Sequence, residues 1–209
     1  LHKTTDFRDT SVTFEWEQSF ETSDQTEFSI ARSGGDPDTG FTIYRGRASH
    51  REYLDPNMIH RISMSGRVIV PDERLVPPKM SAFGGMYSVR GYDENEVIAD
   101  GGVLASIQYE FDLLRHQRIK AGQPANRQVG PYELNRLAPL VFLDYGRSKN
   151  YHPVAAEQQH EEMASVGVGT IVEVGQNFTA SLYYGYPLTE TQDTPEGNGR
   201  VNVGLLLRW

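Results

Sequence analysis

Gly102-Val103-Leu104-Ala105-Ser106-Ile107-Gln108-Tyr109-Glu110-Phe111-Asp112-Leu113 sets Val103, Ala105, Ile107, Tyr109 and Phe111 against Ser106, Gln108, Glu110 and Asp112. Alternation with a period of two gives a β-strand two chemically unlike faces. Here it lasts longer than the five or six residues usual for strands of globular sheets. Seven other segments share the pattern: 11–20, 41–54, 58–70, 137–146, 164–175, 178–188 and 199–209. In 11–20, Val12, Phe14 and Trp16 oppose Thr13, Glu15 and Glu17. In 58–70, Ile62, Met64, Val68 and Val70 oppose Arg61, Ser63, Ser65 and Arg67, so one face is strongly basic. Segment 137–146 has Val141, Leu143 and Tyr145 on one face and Phe142 and Asp144 on the other.

A tilted strand of about ten residues spans the hydrocarbon layer of a bilayer, and apolar-out, polar-in alternation is the signature of a transmembrane barrel. Loop lengths agree with this, because such barrels have short turns on one side and long loops on the other. The connections at Asp55-Pro56-Asn57 and Gln176-Asn177 are tight, while 21–40, 71–101, 147–162 and 189–198 are long and polar. The exception is 114–136, which falls on the short side yet is long. The expected fold is all-β: a transmembrane antiparallel barrel of eight strands. A soluble β-sandwich also alternates, but it uses shorter strands and does not account for a chain that ends within a strand on Trp209.

Composition narrows the function. With 20 glycines and 11 tyrosines for only 38% hydrophobic residues, the chain is rich in turns and aromatics, as β structure requires. A net charge of −8 argues against a phosphate-backbone binder, so nucleic acid is not an expected partner. The chain has no cysteine, hence no disulfide and no thiolate chemistry. No apolar run is long enough for a membrane-spanning helix, so a membrane location requires the barrel. Leu1 begins no signal sequence, which fits a mature product or part of a longer protein.

Phe83-Gly84-Gly85-Met86-Tyr87-Ser88-Val89-Arg90-Gly91-Tyr92 sets one arginine among glycines and aromatics between two strands. Neither phosphate-binding glycine signature is present, and no helical pattern follows. Glu157-Gln158-Gln159-His160 has a spacing found in carboxylate-bridged metal sites, but those require helices and a second copy. Gly167-Val168-Gly169 lacks a third glycine and lies in a strand. Asn177-Phe178-Thr179 is a formal glycosylation sequon. No catalytic residue, metal or cofactor is expected.

The run Val89-Arg90-Gly91-Tyr92 resembles the V-R-G-[FY] loop motif of the outer-membrane barrel superfamily that includes BamA, TamA and the transporters of two-partner secretion. Phe142-Leu143-Asp144-Tyr145-Gly146 resembles the F-x-D-x-G strand motif of the same superfamily. Asp100-Gly101-Gly102 followed by Glu110, then Leu137-Ala138-Pro139 before the second motif, is most similar to the haemolysin secretion/activation branch. Leu205-Leu206-Leu207-Arg208-Trp209 resembles the C-terminal signal read by the barrel-assembly machinery. The resemblance implies the C-terminal half of a sixteen-stranded outer-membrane barrel spanning 1–209, preceded in the whole protein by another half-barrel and POTRA domains. It further implies that loop 71–101 folds inward onto the strands, and that the protein secretes an unfolded partner exoprotein with no covalent chemistry. The implied partners are that exoprotein, the assembly machinery during biogenesis and the lipid bilayer. The alternatives are a BamA- or TamA-like assembly factor, or a self-contained eight-stranded barrel acting as an adhesin or anchor.

The arginine motif also has a physical logic of its own. A buried arginine requires a carboxylate, and a bidentate guanidinium–carboxylate pair is geometrically specific. By parity, both Glu110 and Asp144 lie on polar faces and are candidates. Gly91 and Gly146 would permit close backbone approach, and Tyr92 and Phe142 would pack around the pair.

Overall fold

The computed structural model describes residues 1–208 apart from 21–28, 30, 31, 33–36, 38, 125–129, 131 and 156. The expected assembly signal at Trp209 lies outside the described residues. The strands are β1 (His2–Thr4), β2 (Arg8–Gln18), β3 (Thr42–Tyr53), β4 (His60–Pro71), β5 (Ser81–Phe83), β6 (Val97–Ala99), β7 (Gly101–Phe111), β8 (Leu134–Lys149), β9 (His160–Val174), β10 (Phe178–Pro187) and β11 (Arg200–Leu207). Nine form one antiparallel sheet in the order β1-β2-β3-β4-β7-β8-β9-β10-β11, and β5 pairs with β6 separately.

The eight long strands of the sheet coincide with the eight alternating segments. The sheet differs from the expected barrel in two respects. Three-residue β1 adds a ninth strand beside β2, pairing His2 with Ser11. The sheet is also open, with β1 and β11 as its edges among the described residues. In addition, β8 and β9 reach 16 and 15 residues, beyond the segments read from alternation, because backbone pairing continues past the point where the side-chain pattern fades.

The two faces are chemically distinct. Along β8, Leu140, Phe142, Asp144 and Ser148 are buried while Val141, Leu143 and Tyr145 are exposed. Pairing carries this apolar exposure across the sheet. Tyr109, Val141, Val168, Tyr184 and Val201 are consecutive cross-strand neighbours, and so are Met64, Ile107, Leu143 and Val166. All are exposed. Apolar surface this extensive exceeds what a water-facing sheet tolerates. No helix among the described residues is long and apolar enough to cross a membrane, which leaves strand crossing open.

The tight turn after β3 is held by Asp55, whose carboxylate accepts from the backbone N–H groups of Asn57, Ile59 and His60 at 3.1, 2.9 and 2.8 Å. The long connection 114–136 begins with helix α1 (Leu113–Lys120), N-capped by Asp112, whose side chain accepts from Arg115 N–H at 3.0 Å. Arg118 ties the helix back to the Leu134 and Asn135 carbonyls. A capped helix compacts this connection without adding a strand.

Loop 71–101 lies against the polar face. It contains a short 3₁₀ turn, Pro77–Lys79, and the β5–β6 pair. Its core is Phe83, Val89, Tyr92, Val97 and Ala99, all buried with Met163 of β9 and flanked by Leu104 of β7. A second cluster joins Phe41, Ile43, Ile69, Leu75 and Val76 where the loop leaves β4.

Candidate functional site

Gly84, Gly85 and Gly91 have φ angles of +97°, +93° and +100°, which only glycine adopts at little cost. These turns drop Arg90 onto the polar rows of β7 and β8. Its Nε donates to Asp144 Oδ2 at 2.7 Å and its Nη2 to Oδ1 at 2.8 Å. The Arg90 backbone N–H adds a third bond to Oδ2 at 3.1 Å, and Ser106 Oγ donates to Oδ1 at 2.6 Å. The remaining donors reach Gln108 Oε1 at 2.6 Å and Ser106 Oγ at 3.2 Å. Side-chain exposure is 8% for Arg90 and 1% for Asp144, so the pair is buried. Both forks of the bidentate pair are used, with ring contacts in addition: the guanidinium carbon lies 3.6 Å from the Phe142 ring centroid and 5.0 Å from that of Tyr183.

Glu110 does not join Arg90. It accepts from Arg61 Nη2 at 2.8 and 2.6 Å and from Arg136, and it meets the Arg90 site only through Gln108, whose Nε2 donates to Oε1 at 2.9 Å. The cause is register. Ser106 pairs with Asp144, placing that carboxylate under the loop, whereas Glu110 sits two rows further along, opposite Arg61.

Tyr92 also differs from expectation. Its hydroxyl accepts from Ala164 N–H at 3.1 Å and lies 2.9 and 2.8 Å from the carbonyls of Ala164 and Thr189, one of which takes its single proton, anchoring the loop to β9 and to the segment after β10. The second ring over the guanidinium is Tyr183.

The two glycines expected to permit close approach are occupied as their positions require. A Cβ at Gly146 would lie 2.8 Å from Val89 Cγ2, and one at Gly91 would lie 3.0 Å from the backbone of Gly185. The reverse contact is tighter, since a Cβ at Gly185 would lie 2.5 Å from Gly91 N. Gly167 leaves room for the Phe142 ring, only 2.2 Å from where its Cβ would be. Neither Tyr183 nor Gly185 stands out in the sequence, although their inward parity on β10 and the neighbouring glycines were visible there. Farther along the loop, Asp93 accepts from Arg200 of β11 at 2.6 Å, so the loop crosses from β7 to the β11 edge.

A second cluster holds the loop's roots. Asp100 is fully buried and accepts from Arg32 Nη1 at 2.7 Å, Leu75 N–H at 3.0 Å and Tyr151 N–H at 2.8 Å. Arg74 donates to Glu157 at 2.8 Å and to the Arg32 carbonyl at 3.0 Å. Burial would raise the Glu157 carboxyl. The Arg74 hydrogen bond, the Val154 N–H and the charges of Arg32 and Arg74 outweigh it, and the pKa is lowered. Glu157 thus belongs to an ion cluster joining three connections rather than to the Glu-x-x-His grouping of the sequence.

The family model for haemolysin secretion/activation proteins ShlB/FhaC/HecB matches residues 9–172. The chain belongs to this family. It is 24% identical over 170 residues to the heme/hemopexin transporter protein HuxB of Haemophilus influenzae strain 86-028NP, covering 79% of this chain and 27% of that protein. Its fold is similar to CdiB from Escherichia coli, with a TM-score of 0.71 at 14% identity over 99% of this chain and 34% of that one. CdiB from Acinetobacter baumannii gives a TM-score of 0.63 at 11% identity, again over 99% of this chain and over 31% of that chain. The chain therefore spans about a quarter to a third of the length of these relatives. The haemolysin secretion/activation branch, expected from Asp100-Gly101-Gly102, Glu110 and Leu137-Ala138-Pro139, is the branch matched.

Proposed function

We propose that residues 1–209 form the C-terminal half of a sixteen-stranded bacterial outer-membrane barrel that secretes an unfolded partner exoprotein, with loop 71–101 docked in its lumen. The observation that carries this reading is the buried, bidentate Arg90–Asp144 pair joining loop to wall in a chain of this family. The exposed apolar face would meet lipid, and the polar face would line the path of the chain being passed. Trp209 would serve as the signal read by the assembly machinery. The activity is transport without covalent chemistry. The match to the secretion/activation family favours this over a BamA- or TamA-like assembly role, and a sheet whose edge strands β1 and β11 have no further partner among the described residues is a poor candidate for a self-contained eight-stranded barrel.

In the full-length protein, Arg90→Ala and Asp144→Ala should each abolish export of the partner while the barrel still folds and inserts. Wild-type export by both variants would remove the loop from the mechanism.

A further inference from the structure

The polar face carries more arginine than its carboxylates neutralise. Arg45 is met by Glu15 and Glu17 at 3.4 and 2.7 Å, and Glu17 also meets Lys79. Arg61 and Arg136 share Glu110, Arg136 further meets Glu173, and Arg90 holds Asp144. These pairs occupy Glu15, Glu17, Glu110, Glu173 and Asp144. Arg47 and Arg67 have no carboxylate partner among the described residues, although they are paired directly with each other across β3 and β4. Their row continues to Thr13 on one side and Leu104 on the other, so no carboxylate is adjacent in register.

Like charges opposite one another on a sheet are destabilising. Little inside the chain offsets this. Arg67 Nη2 reaches only the Ala82 carbonyl at 3.4 Å, and its Nε is buried without a partner. The pair opens into a groove of about 370 Å³ whose other walls include Thr13, Ser49, Ser65 and, from loop 71–101, Tyr87. Tyr87 is almost wholly exposed beside it. Two guanidiniums, several hydroxyls and an exposed ring provide forked donors for a carboxylate and a surface for the chain that bears it. In a chain of net charge −8, such a cationic spot is a local exception.

We propose that the Arg47–Arg67 pair is a binding point for the carboxylate side chains of an acidic polypeptide segment lying along the polar face. The pairing and groove stand without the transport reading; that the segment belongs to the secreted partner rests on it.

The test is anisotropy titration of a fluorescein-labelled hexaglutamate peptide into the full-length protein in detergent, with hexalysine, sodium acetate and inorganic phosphate as parallel arms. Hexaglutamate should bind in a salt-sensitive manner, and the Arg47→Gln/Arg67→Gln double variant should weaken it roughly ten- to hundredfold. Thr13→Glu places a carboxylate in the same cross-strand row. It should abolish peptide binding while leaving the melting temperature unchanged or raised, which separates loss of the site from loss of the fold. Equal affinity in the wild type and the double variant, equal binding of hexalysine, or phosphate binding as tightly as the peptide would each overturn the proposal. Export by the wild type without peptide binding would refute this inference alone. Peptide binding without export would refute the transport reading alone.

Discussion

Arg90 shows how much a single side chain organises when it is desolvated. Its partner accepts four hydrogen bonds, three of them from Arg90 itself, in a buried site. Removing one member of a buried pair leaves an uncompensated charge at a cost of about 3–5 kcal/mol. Asp144→Asn keeps the shape and removes the charge. It is expected to release the loop, seen as lost amide-exchange protection over 86–92, while protection in β7–β11 persists. Gly146 acts by absence of a side chain. Gly146→Ala would place a methyl 2.8 Å from Val89 and 3.0 Å from Leu104, an overpacking cost of roughly 1–3 kcal/mol. Combining it with Val89→Ala should recover part of that loss in a double-mutant cycle, because the two residues share one volume.

At the level of elements, loop 71–101 is fixed at three places. Its middle is held by the Arg90–Asp144 pair, its far side by Tyr92 on β9 and Asp93 on Arg200, and its roots by the Asp100 and Glu157 cluster. The root clamp is pH-dependent. The Glu157 pKa is lowered in the folded protein, so its contribution is fully present above the ordinary glutamate value of 4.5 and is lost as pH falls through the depressed folded value. Acidification below about pH 4.5 should loosen the junction of the 71–101 and 150–159 connections, and limited proteolysis with an acid-active protease reads this out. Glu157→Gln should be loose at neutral pH and insensitive to acid. A variant that still shows the acid transition would assign it to another group. Helix α1 makes the complementary point: Asp112 continues the polar alternation of β7 in sequence, yet it ends as an N-cap, because the chain stops pairing where the cap can form.

At the scale of the whole molecule, an open sheet with one apolar and one polar face needs something against each. On the polar face, part of the cover is the chain's own loop. The apolar face has none among the described residues, so its environment can be tested by substitution. Leu143, half exposed between Val141 and Tyr145 on that face, is a suitable probe. Leu143→Arg should cost about 2–4 kcal/mol in lipid if the residue lies near the bilayer midplane. A water-facing position would register less than about 0.5 kcal/mol. Unfolding of the full-length protein from lipid vesicles measures the difference.

Strand positions and the faces of most strands were legible in the sequence, and the resemblance to the family added the pairing of an arginine loop with an inward carboxylate. Parity is a local property of the pleated backbone, and a period-two pattern records it directly. Parity alone did not tell which carboxylate receives Arg90. Asp144 and Glu110 have the same parity, but Asp144 faces Ser106, four residues and so roughly 13 Å along β7 from Glu110, and only the register of β7 with β4 and β8 gives Asp144 to the loop and Glu110 to Arg61 and Arg136. The roles of Tyr183, Gly167 and Gly185 depend in the same way on strands brought beside β8 by pairing. The sequence by itself determined a two-faced antiparallel sheet, and its resemblance to the family implied the buried arginine loop. The tertiary structure alone decided the partners, the nine-stranded open sheet and the uncompensated Arg47–Arg67 row, because contact between strands depends on a register that no single strand encodes.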